Sequence, residues 1–94
     1  MYWRREWDSV APDIGAIFGG VLQRHRRRAA LTEEELAFRA GIDRTFVSRL
    51  ERGIRQPTIT TLIGLAEAMG ISATELVKDT EAEYSRSKPR RPHR

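Results

Sequence analysis

Apolar residues recur near the start of the chain at intervals of three and four positions. After Asp13, the recurring set consists of Ile14, Ile17, Phe18, Val21, Leu22 and, at its end, His25. This spacing predicts an amphipathic α-helix with one face toward a core. Gly19 and Gly20 lie within the pattern, and each weakens a helix by about 1 kcal/mol relative to alanine. We therefore expect another element to approach this helix closely at the two glycines.

Residue pairs that cap helices mark the boundaries of further helices. Thr32 and Glu35 form the sequence pattern of a capping box. Ser72 and Glu75 repeat this pattern, and Asp43 is placed to cap a helix between them. Together with the apolar periodicity, these signals predict an all-α domain without strands. Its five helices are expected at roughly 13–29, 33–40, 44–52, 59–69 and 73–84.

The segment 41–43, between the predicted second and third helices, is the most informative connection in the chain. Its sequence is Gly-Ile-Asp, and a connection of three or four residues containing glycine joins the helices of a helix-turn-helix. Gly41 permits the positive φ angle that this tight turn needs. On the third helix, Val47 and Leu50 then face the core. The polar side faces outward and carries Arg44, Thr45, Ser48 and Arg49.

The formal net charge of +4 is unevenly distributed along the chain. Residues 21–56 carry nine arginines and five acidic residues, whereas residues 57–84 carry one lysine and five acidic residues. The last ten residues carry five basic residues and no acidic one. This distribution favours a polyanionic partner on one face, and solvated surface charge is the alternative interpretation. The basic tail either contacts such a polyanion or only keeps the protein soluble.

Composition and motif content argue against several classes of function. The 94 residues suffice for one small domain, and there is no cysteine for a disulfide or a thiolate metal site. Because no metal-ligand spacing, phosphate-binding glycine loop or nucleophile motif is present, we expect no enzyme, metal, cofactor or small-molecule ligand. The longest apolar run, residues 16–22, is far too short to span a membrane, and no signal peptide is evident. A cytoplasmic location is expected.

Three regions are expected along the chain. Residues 1–12 form an extension with three aromatic residues, Tyr2, Trp3 and Trp7, which we expect to pack on the domain or on a partner chain. Residues 13–84 form the helical domain. Residues 85–94, with the sequence SRSKPRRPHR, form a basic tail that is expected to be disordered.

Several segments of the chain, in order and with the expected spacings, resemble the Xre/Cro family of helix-turn-helix DNA-binding domains. The resemblance covers residues 18–76 and lies in FGGVLQRHRRRAALTEEELA, AGIDRTFVSRLERG, RQPTITTLIGLAEAMGIS and ATEL. The segment DRTFVSRLERG is also similar to the recognition helix of restriction-modification controller proteins, which belong to this family. The resemblance implies a five-helix, lambda-repressor-like fold that inserts its third helix into the major groove of double-stranded DNA. It also implies a homodimer bound to an inverted repeat, acting as a repressor or autoregulator of transcription.

The resemblance also implies roles for individual residues. The side chains that would contact bases are Arg44, Thr45, Ser48 and Arg49. Phosphates would be contacted by Arg52, Arg55 and the start of the fourth helix at Thr58. The family commonly pairs an arginine of the first helix with the glutamate that here is Glu51. Arg26 stands at the matching position, so a structural ion pair is expected between these two residues.

Three positions depart from the family pattern. Glu33 replaces a glutamine that contacts phosphate, and its charge would repel the DNA backbone. A carboxylate is favoured in the first turn of a helix by the helix dipole. Glu33 would also lie near Arg44 at the start of the third helix, so we expect it instead to orient Arg44 toward a base. Ala30 stands where glycine is usual, which implies a less open turn or mild strain. Gln23 replaces a common basic residue.

A homodimer is expected to form through the fifth helix. The residues Leu76, Val77, Thr80 and Tyr84 share one face of it, and so small a domain has little core in which to bury Val77 and Tyr84. The alternative is a protein-interaction module with the same fold, such as an antitoxin that acts chiefly on its toxin. Salt discriminates between the two, because binding through several phosphates weakens steeply as salt rises and an aromatic interface does not.

Overall fold

A computed structural model describes residues 13–87, which form five α-helices joined by short connections and contain no strand. The helices are α1 (Ile14–Arg28), α2 (Glu33–Ala40), α3 (Arg44–Glu51), α4 (Ile59–Met69) and α5 (Ala73–Ser87). The expected all-α class is therefore confirmed, and the first four helices begin and end within one residue of the predicted bounds. Helix α5 continues to residue 87 and so includes three residues that were expected to belong to the tail.

The aromatic extension, residues 1–12, and residues 88–94 of the basic tail lie outside the described residues. The predictions for these two segments therefore stay predictions. Within residues 13–87, no helix is both long and apolar enough to cross a membrane.

The helix caps are mostly those that the sequence predicts. At the start of α2 the Thr32 hydroxyl accepts from the Glu35 N–H at 3.0 Å, and the Glu35 carboxylate accepts from the Thr32 N–H at 2.8 Å. The Ser72 hydroxyl likewise accepts from the Glu75 N–H at 3.2 Å. Asp43 is the exception, since within residues 13–87 its side chain makes no capping hydrogen bond. Its carboxylate is exposed, so water can satisfy it, and only its backbone carbonyl begins α3.

Helix α1 crosses α3 at one of the two glycines. A Cβ atom added to Gly19 would lie 2.6 Å from the Leu50 carbonyl oxygen and 2.7 Å from the Glu51 carbonyl carbon. No side chain fits at this distance, so the close approach expected here is confirmed. At Gly20 the nearest atom is the end of the Arg24 side chain, at 4.0 Å. The expectation of a close approach at Gly20 is therefore wrong, because this glycine lies to the side of the helix crossing.

The core consists of apolar, mostly aliphatic side chains, and all five helices contribute to it. Helix α1 packs against α3 and α5, α2 packs against α3 and α4, and α4 packs against α5. The largest fully buried side chains are Val21, Leu22, Leu36, Val47, Leu50, Leu65 and Leu76. Burying one such side chain stabilises the fold by about 1.5–3 kcal/mol. The inward side of α3 is thereby held on the domain, and the orientation of its outward side is set.

Candidate nucleic-acid interface

The turn between α2 and α3 positions the third helix. Gly41 ends α2 with a φ of 70°, the left-handed conformation that the sequence predicts. The Ile42 N–H donates to the Ala37 carbonyl at 3.0 Å and so closes the turn. Ala37 has a small side chain, so the two helices can cross closely, and both Ala37 and Val47 are buried. The result is the arrangement of two helices that defines a helix-turn-helix.

The outward side of α3 presents the four residues that were expected to contact bases. Arg44, Thr45 and Arg49 are exposed and Ser48 is half-buried. Phe46, between the two sides, is half-buried and packs against the core. A donor-rich polar surface of this kind suits the hydrogen-bond acceptors of base edges in the major groove.

The loop after α3 holds two further arginines beside this surface. The backbone N–H groups of Ile54 and Arg55 donate to the Arg49 carbonyl, at 2.9 and 3.3 Å. Gly53 has a φ of 76°, and a Cβ atom there would lie 2.8 Å from the Cα of Ala16. The loop is therefore seated against the first turn of α1. The exposed Arg52 and Arg55 consequently lie next to the C-terminal end of α3.

The start of α4 has a more specific geometry than the sequence indicates. The Thr58 hydroxyl accepts from the Thr61 N–H at 3.1 Å and donates to the Thr61 hydroxyl oxygen at 3.1 Å. The Thr58 side chain is thus engaged in capping. An anion at this helix terminus would instead meet the first backbone N–H groups of α4, which have no partner within the helix.

Arg26 and Glu51 form the ion pair that the resemblance implies. Arg26 Nε and Nη2 donate to Glu51 Oε2 and Oε1, at 2.5 and 3.0 Å. Arg26 Nη1 donates to the Leu31 carbonyl at 2.8 Å, and Gln23 Nε2 donates to Glu51 Oε1 at 3.4 Å. Glu51 raises the pKa of the Arg26 guanidinium by hydrogen bonding. This network explains Gln23, for which the sequence suggested no role.

Glu33 lies at the edge of this network and of the polar surface of α3. Glu33, Arg44, Thr45 and Ser48 together line a shallow cavity of about 180 Å³. Partial burial raises the pKa of the Glu33 carboxyl, and the neighbouring Glu51 carboxylate raises it further. Arg26 and Arg44 act in the opposite direction. None of the ion pairs within residues 13–87 joins Glu33 to Arg44, so the attraction between them acts through space.

His25 is buried and bonded, as its position on the apolar face of α1 indicates. Its Nε2 lies 2.7 Å from Asp79 Oδ2 on α5. Because a carboxylate only accepts, Nε2 carries the proton. Sequence reasoning missed Asp79, and the available signal was weak. Asp79 lies next to the apolar face of α5, three positions after Leu76, but nothing local relates it to α1.

The residues expected at a dimer interface divide into two groups. Leu76 is fully buried within the single chain, and Thr80 is buried with its hydroxyl donating to the Leu76 carbonyl at 2.8 Å. Val77 is 49% exposed. Tyr84 is half-buried. The assignment of Leu76 to a dimer interface is therefore wrong, because this side chain has no surface left for a partner. Thr80 belongs chiefly to the chain's own core for the same reason.

These features define a class of protein. A five-helix domain with a glycine-containing turn before a third helix, whose outward side is polar and basic, is a helix-turn-helix domain of the DNA-binding type. A model of the helix-turn-helix family matches residues 22–76, more than half of the chain, and the chain belongs to this family. The Xre/Cro resemblance is thereby confirmed.

Individual relatives carry related names. The chain is 44% identical over 69 residues to the uncharacterized HTH-type transcriptional regulator y4dJ of Sinorhizobium fredii, covering 73% of this chain and 90% of the relative. It is 33% identical over 72 residues to the control protein C.MunI of a Mycoplasma species, covering 76% and 97%. The crystal structure of the restriction-modification controller protein C.AhdI from Aeromonas hydrophila superposes with a TM-score of 0.64 at 38% identity. That match covers 65% of this chain and 92% of C.AhdI.

Proposed function

We propose that this protein is a sequence-specific regulator of transcription that binds an inverted-repeat operator as a homodimer. The observation that carries the proposal is that α3 is buried on one side only. Val47 and Leu50 are fully buried, whereas Arg44, Thr45 and Arg49 on the other side are exposed. A helix fixed so firmly on one side and so rich in donors on the other can enter the major groove without repacking the core.

Base recognition is assigned to the outward side of α3. A guanidinium at Arg49 can donate two hydrogen bonds to the O6 and N7 atoms of guanine, the commonest specific contact of arginine. Arg44 stands at the start of α3, where the field of Glu33 favours one orientation of its side chain. Thr45 and Ser48, between the two arginines, can donate to or accept from several bases.

Phosphate contacts are assigned to Arg52, Arg55 and the first N–H groups of α4 after Thr58. Arg52 and Arg55 lie in the loop directly after α3 and are positively charged, and the start of α4 offers backbone N–H groups that have no partner within the helix. Contacts of this kind fix the register of a protein on DNA and supply most of its affinity, but they do not distinguish sequences. Glu33 would weaken this part of the interface, because its carboxylate lies on the side that approaches the backbone.

The dimer is assigned to the exposed part of α5. Val77 is an exposed apolar residue on this helix, and Tyr84 lies two turns further along it. A two-fold axis at this surface would set the two α3 helices about 34 Å apart, one turn of DNA. The operator is then a pseudo-palindrome. Sedimentation that shows only monomer at high concentration, with DNA and without it, would remove the dimer from the proposal.

The relatives support a role in transcription. One is named a transcriptional regulator, and two are named control or controller proteins, the latter of restriction-modification systems. A repressor or an autoregulator that occludes a promoter needs no activity beyond binding to its operator. This is the simplest function for a domain of this size.

Selection of bound oligonucleotides from a random pool tests the proposal most directly. We expect enrichment of a pseudo-palindrome with half-sites one helical turn apart, and affinity that falls steeply as salt increases. If the protein is instead a protein-interaction module such as an antitoxin, the selection should enrich no sequence. Any partner binding through an aromatic interface should then persist at high salt.

A further inference from the structure

An apolar cavity of about 170 Å³ opens on the face of the domain where α1, α5 and the loop before α4 meet. Its walls include Ile14 and Phe18 of α1, Pro57 of the loop, and Val77 and Thr80 of α5. Ile14 is 40% exposed and Val77 49% exposed, so apolar surface at the rim faces water. Covering such surface is favourable, at about 25 cal/mol for each Å² removed from water. The cavity is therefore suited to an apolar occupant.

The chain itself supplies such an occupant next to the rim. Residues 1–12 are joined to α1 through Asp13, the residue before Ile14, and this segment contains both tryptophans of the protein, Trp3 and Trp7. Trp7 is seven positions before Ile14, and seven extended residues reach at most about 25 Å. The connection is therefore long enough for Trp7 to reach any wall of the cavity. A tether this short also keeps the local concentration of the segment high, in the millimolar range.

The size and chemistry of the cavity match one aromatic ring. An apolar cavity of about 150 Å³ is known to hold a benzene molecule. A buried indole also requires an acceptor for its N–H. The Thr80 hydroxyl donates to the Leu76 carbonyl at 2.8 Å and therefore keeps its own lone pairs for an incoming donor.

We propose that residues 1–12 fold back on their own domain and that the Trp7 ring occupies the cavity between Ile14, Phe18, Pro57 and Val77. The segment then covers the cavity at one edge of the α5 surface that is assigned to the dimer, and Tyr84, which does not line the cavity, remains part of that surface. None of the residues that line the cavity is among those proposed to contact bases, so the test does not require DNA. It also gives a role to an aromatic extension that helix-turn-helix function does not require.

Tryptophan fluorescence of the full chain tests the proposal directly, because both tryptophans lie in the segment and none in the domain. We expect a blue-shifted emission that acrylamide quenches poorly. Trp7→Phe should abolish this protected emission, whereas Trp3→Phe should leave it in place. Val77→Asp and Ile14→Ser should each expose the tryptophan. Both residues lie at the rim, so the fold should be kept, and circular dichroism checks that it is.

The control is Ile63→Asp, which alters an apolar residue of similar exposure, 46%, on α4 and outside the cavity. This variant should retain the protected emission. Dilution of the wild-type protein separates docking within one chain from docking on a second copy. Protection that is independent of concentration supports the proposal, and protection that disappears with the dimer overturns it in favour of a second copy. Emission that is exposed at every concentration overturns it altogether.

Discussion

Arg26 of α1 and Glu51 of α3 are joined by two parallel hydrogen bonds at the C-terminal end of α3. The side chain of Glu51 is 1% exposed and that of Arg26 is 11% exposed. The pair ties Glu51, the last residue of α3, to Arg26 near the C-terminal end of α1. It therefore helps to fix the orientation of α3 relative to α1, although neither residue contacts DNA in our proposal.

Breaking this pair should destabilise the fold strongly. Glu51→Gln removes the negative charge and keeps the shape, which leaves the Arg26 guanidinium buried without a counter-charge. Loss of one partner of a buried ion pair typically costs about 3–5 kcal/mol. Urea denaturation should show this loss as a lower midpoint with an unchanged slope.

Two further variants test the burial argument. Arg86→Ala removes an exposed ion pair with Glu83, and its effect should stay within about 1 kcal/mol. The double variant Arg26→Leu with Glu51→Leu should lose less free energy of unfolding than the two single variants lose together. Replacing both partners leaves no buried charge unpaired. If Arg86→Ala and Glu51→Gln lowered the free energy of unfolding equally, the structural role of Arg26 and Glu51 would be contradicted.

Arg49 and Arg55 should differ in what they contribute to DNA binding. Arg49→Ala should cost about 1–3 kcal/mol on the selected operator and relax selectivity at one position of each half-site. Arg55→Ala should weaken operator and random DNA alike, because phosphate is its expected partner. It should also lower the salt slope by about one unit per subunit.

Titrations of both variants on both DNAs over a range of salt separate these effects. Equal losses for the two variants on random DNA, with no change in selectivity for Arg49→Ala, would mean that Arg49 contacts no base. The assignment of α3 as the recognition helix would then fail.

Glu33→Gln should tighten binding to every DNA sequence. The amide can donate to a phosphate that the carboxylate repels, and one hydrogen bond contributes roughly 0.5–1.5 kcal/mol. The same change should loosen the preference at the base pair contacted by Arg44, since the orienting charge is gone. Glu34→Gln, an exposed neighbour in the same turn, controls for the loss of a negative charge. An unchanged preference at the Arg44 base pair would count against the orienting role, whatever happens to affinity.

Because the pKa of the Glu33 carboxyl is raised, the stability of Glu33→Gln should depend on pH differently from that of the wild type. In the folded protein the carboxyl holds its proton to a higher pH than in the unfolded chain. The wild type therefore loses stability as pH rises from the ordinary carboxyl pKa through the raised pKa. Glu33→Gln should lack this loss, and denaturation curves across the mildly acidic range should measure the difference.

Ala30→Gly should stabilise the protein. Ala30 adopts a φ of 60°, so the mild strain expected from the sequence is present. The left-handed conformation costs a residue with a Cβ atom about 1–2 kcal/mol, and glycine adds about 0.5–1 kcal/mol of backbone entropy to the unfolded chain. The net gain should be roughly 0.5–1 kcal/mol. Ala29→Gly is the matched control, because Ala29 has a φ of −79° and should lose stability on thermal unfolding.

Asp79→Asn should remove an acid-sensitive link between α1 and α5. The hydrogen bond from His25 lowers the pKa of the Asp79 carboxyl. A lowered folded-state pKa contributes stability that is complete above the ordinary aspartate pKa and is lost as pH falls through the lowered value. The advantage of the wild type over the variant should therefore shrink below about pH 4. Glu81→Gln, another charge removed from α5, provides the comparison. An advantage that does not depend on pH would show that ionisation of the Asp79 carboxyl does not strengthen its hydrogen bond with His25.

The sequence by itself determined the helices and the turn between α2 and α3. The capping box of Thr32 and Glu35 and the glycine at position 41 act over three or four residues. Signals of this range lie in neighbouring positions of the chain and could therefore be recognised without the tertiary structure, although the cap predicted at Asp43 did not form. The division of α3 into an apolar and a polar side follows from helical periodicity in the same way. The residues proposed to contact bases could be identified for that reason.

Only the tertiary structure decided which surfaces remain available and which charges meet. Periodicity placed Leu76 and Val77 together on α5, but the packing of α1 against α5 buries the first and leaves the second exposed. The same packing brings His25 to Asp79, 54 positions away in sequence. The crossing of α1 and α3 requires glycine at position 19 and not at position 20. Contacts of this kind depend on the angles between helices, which arise from the fit of many side chains at once and leave no local pattern in the chain.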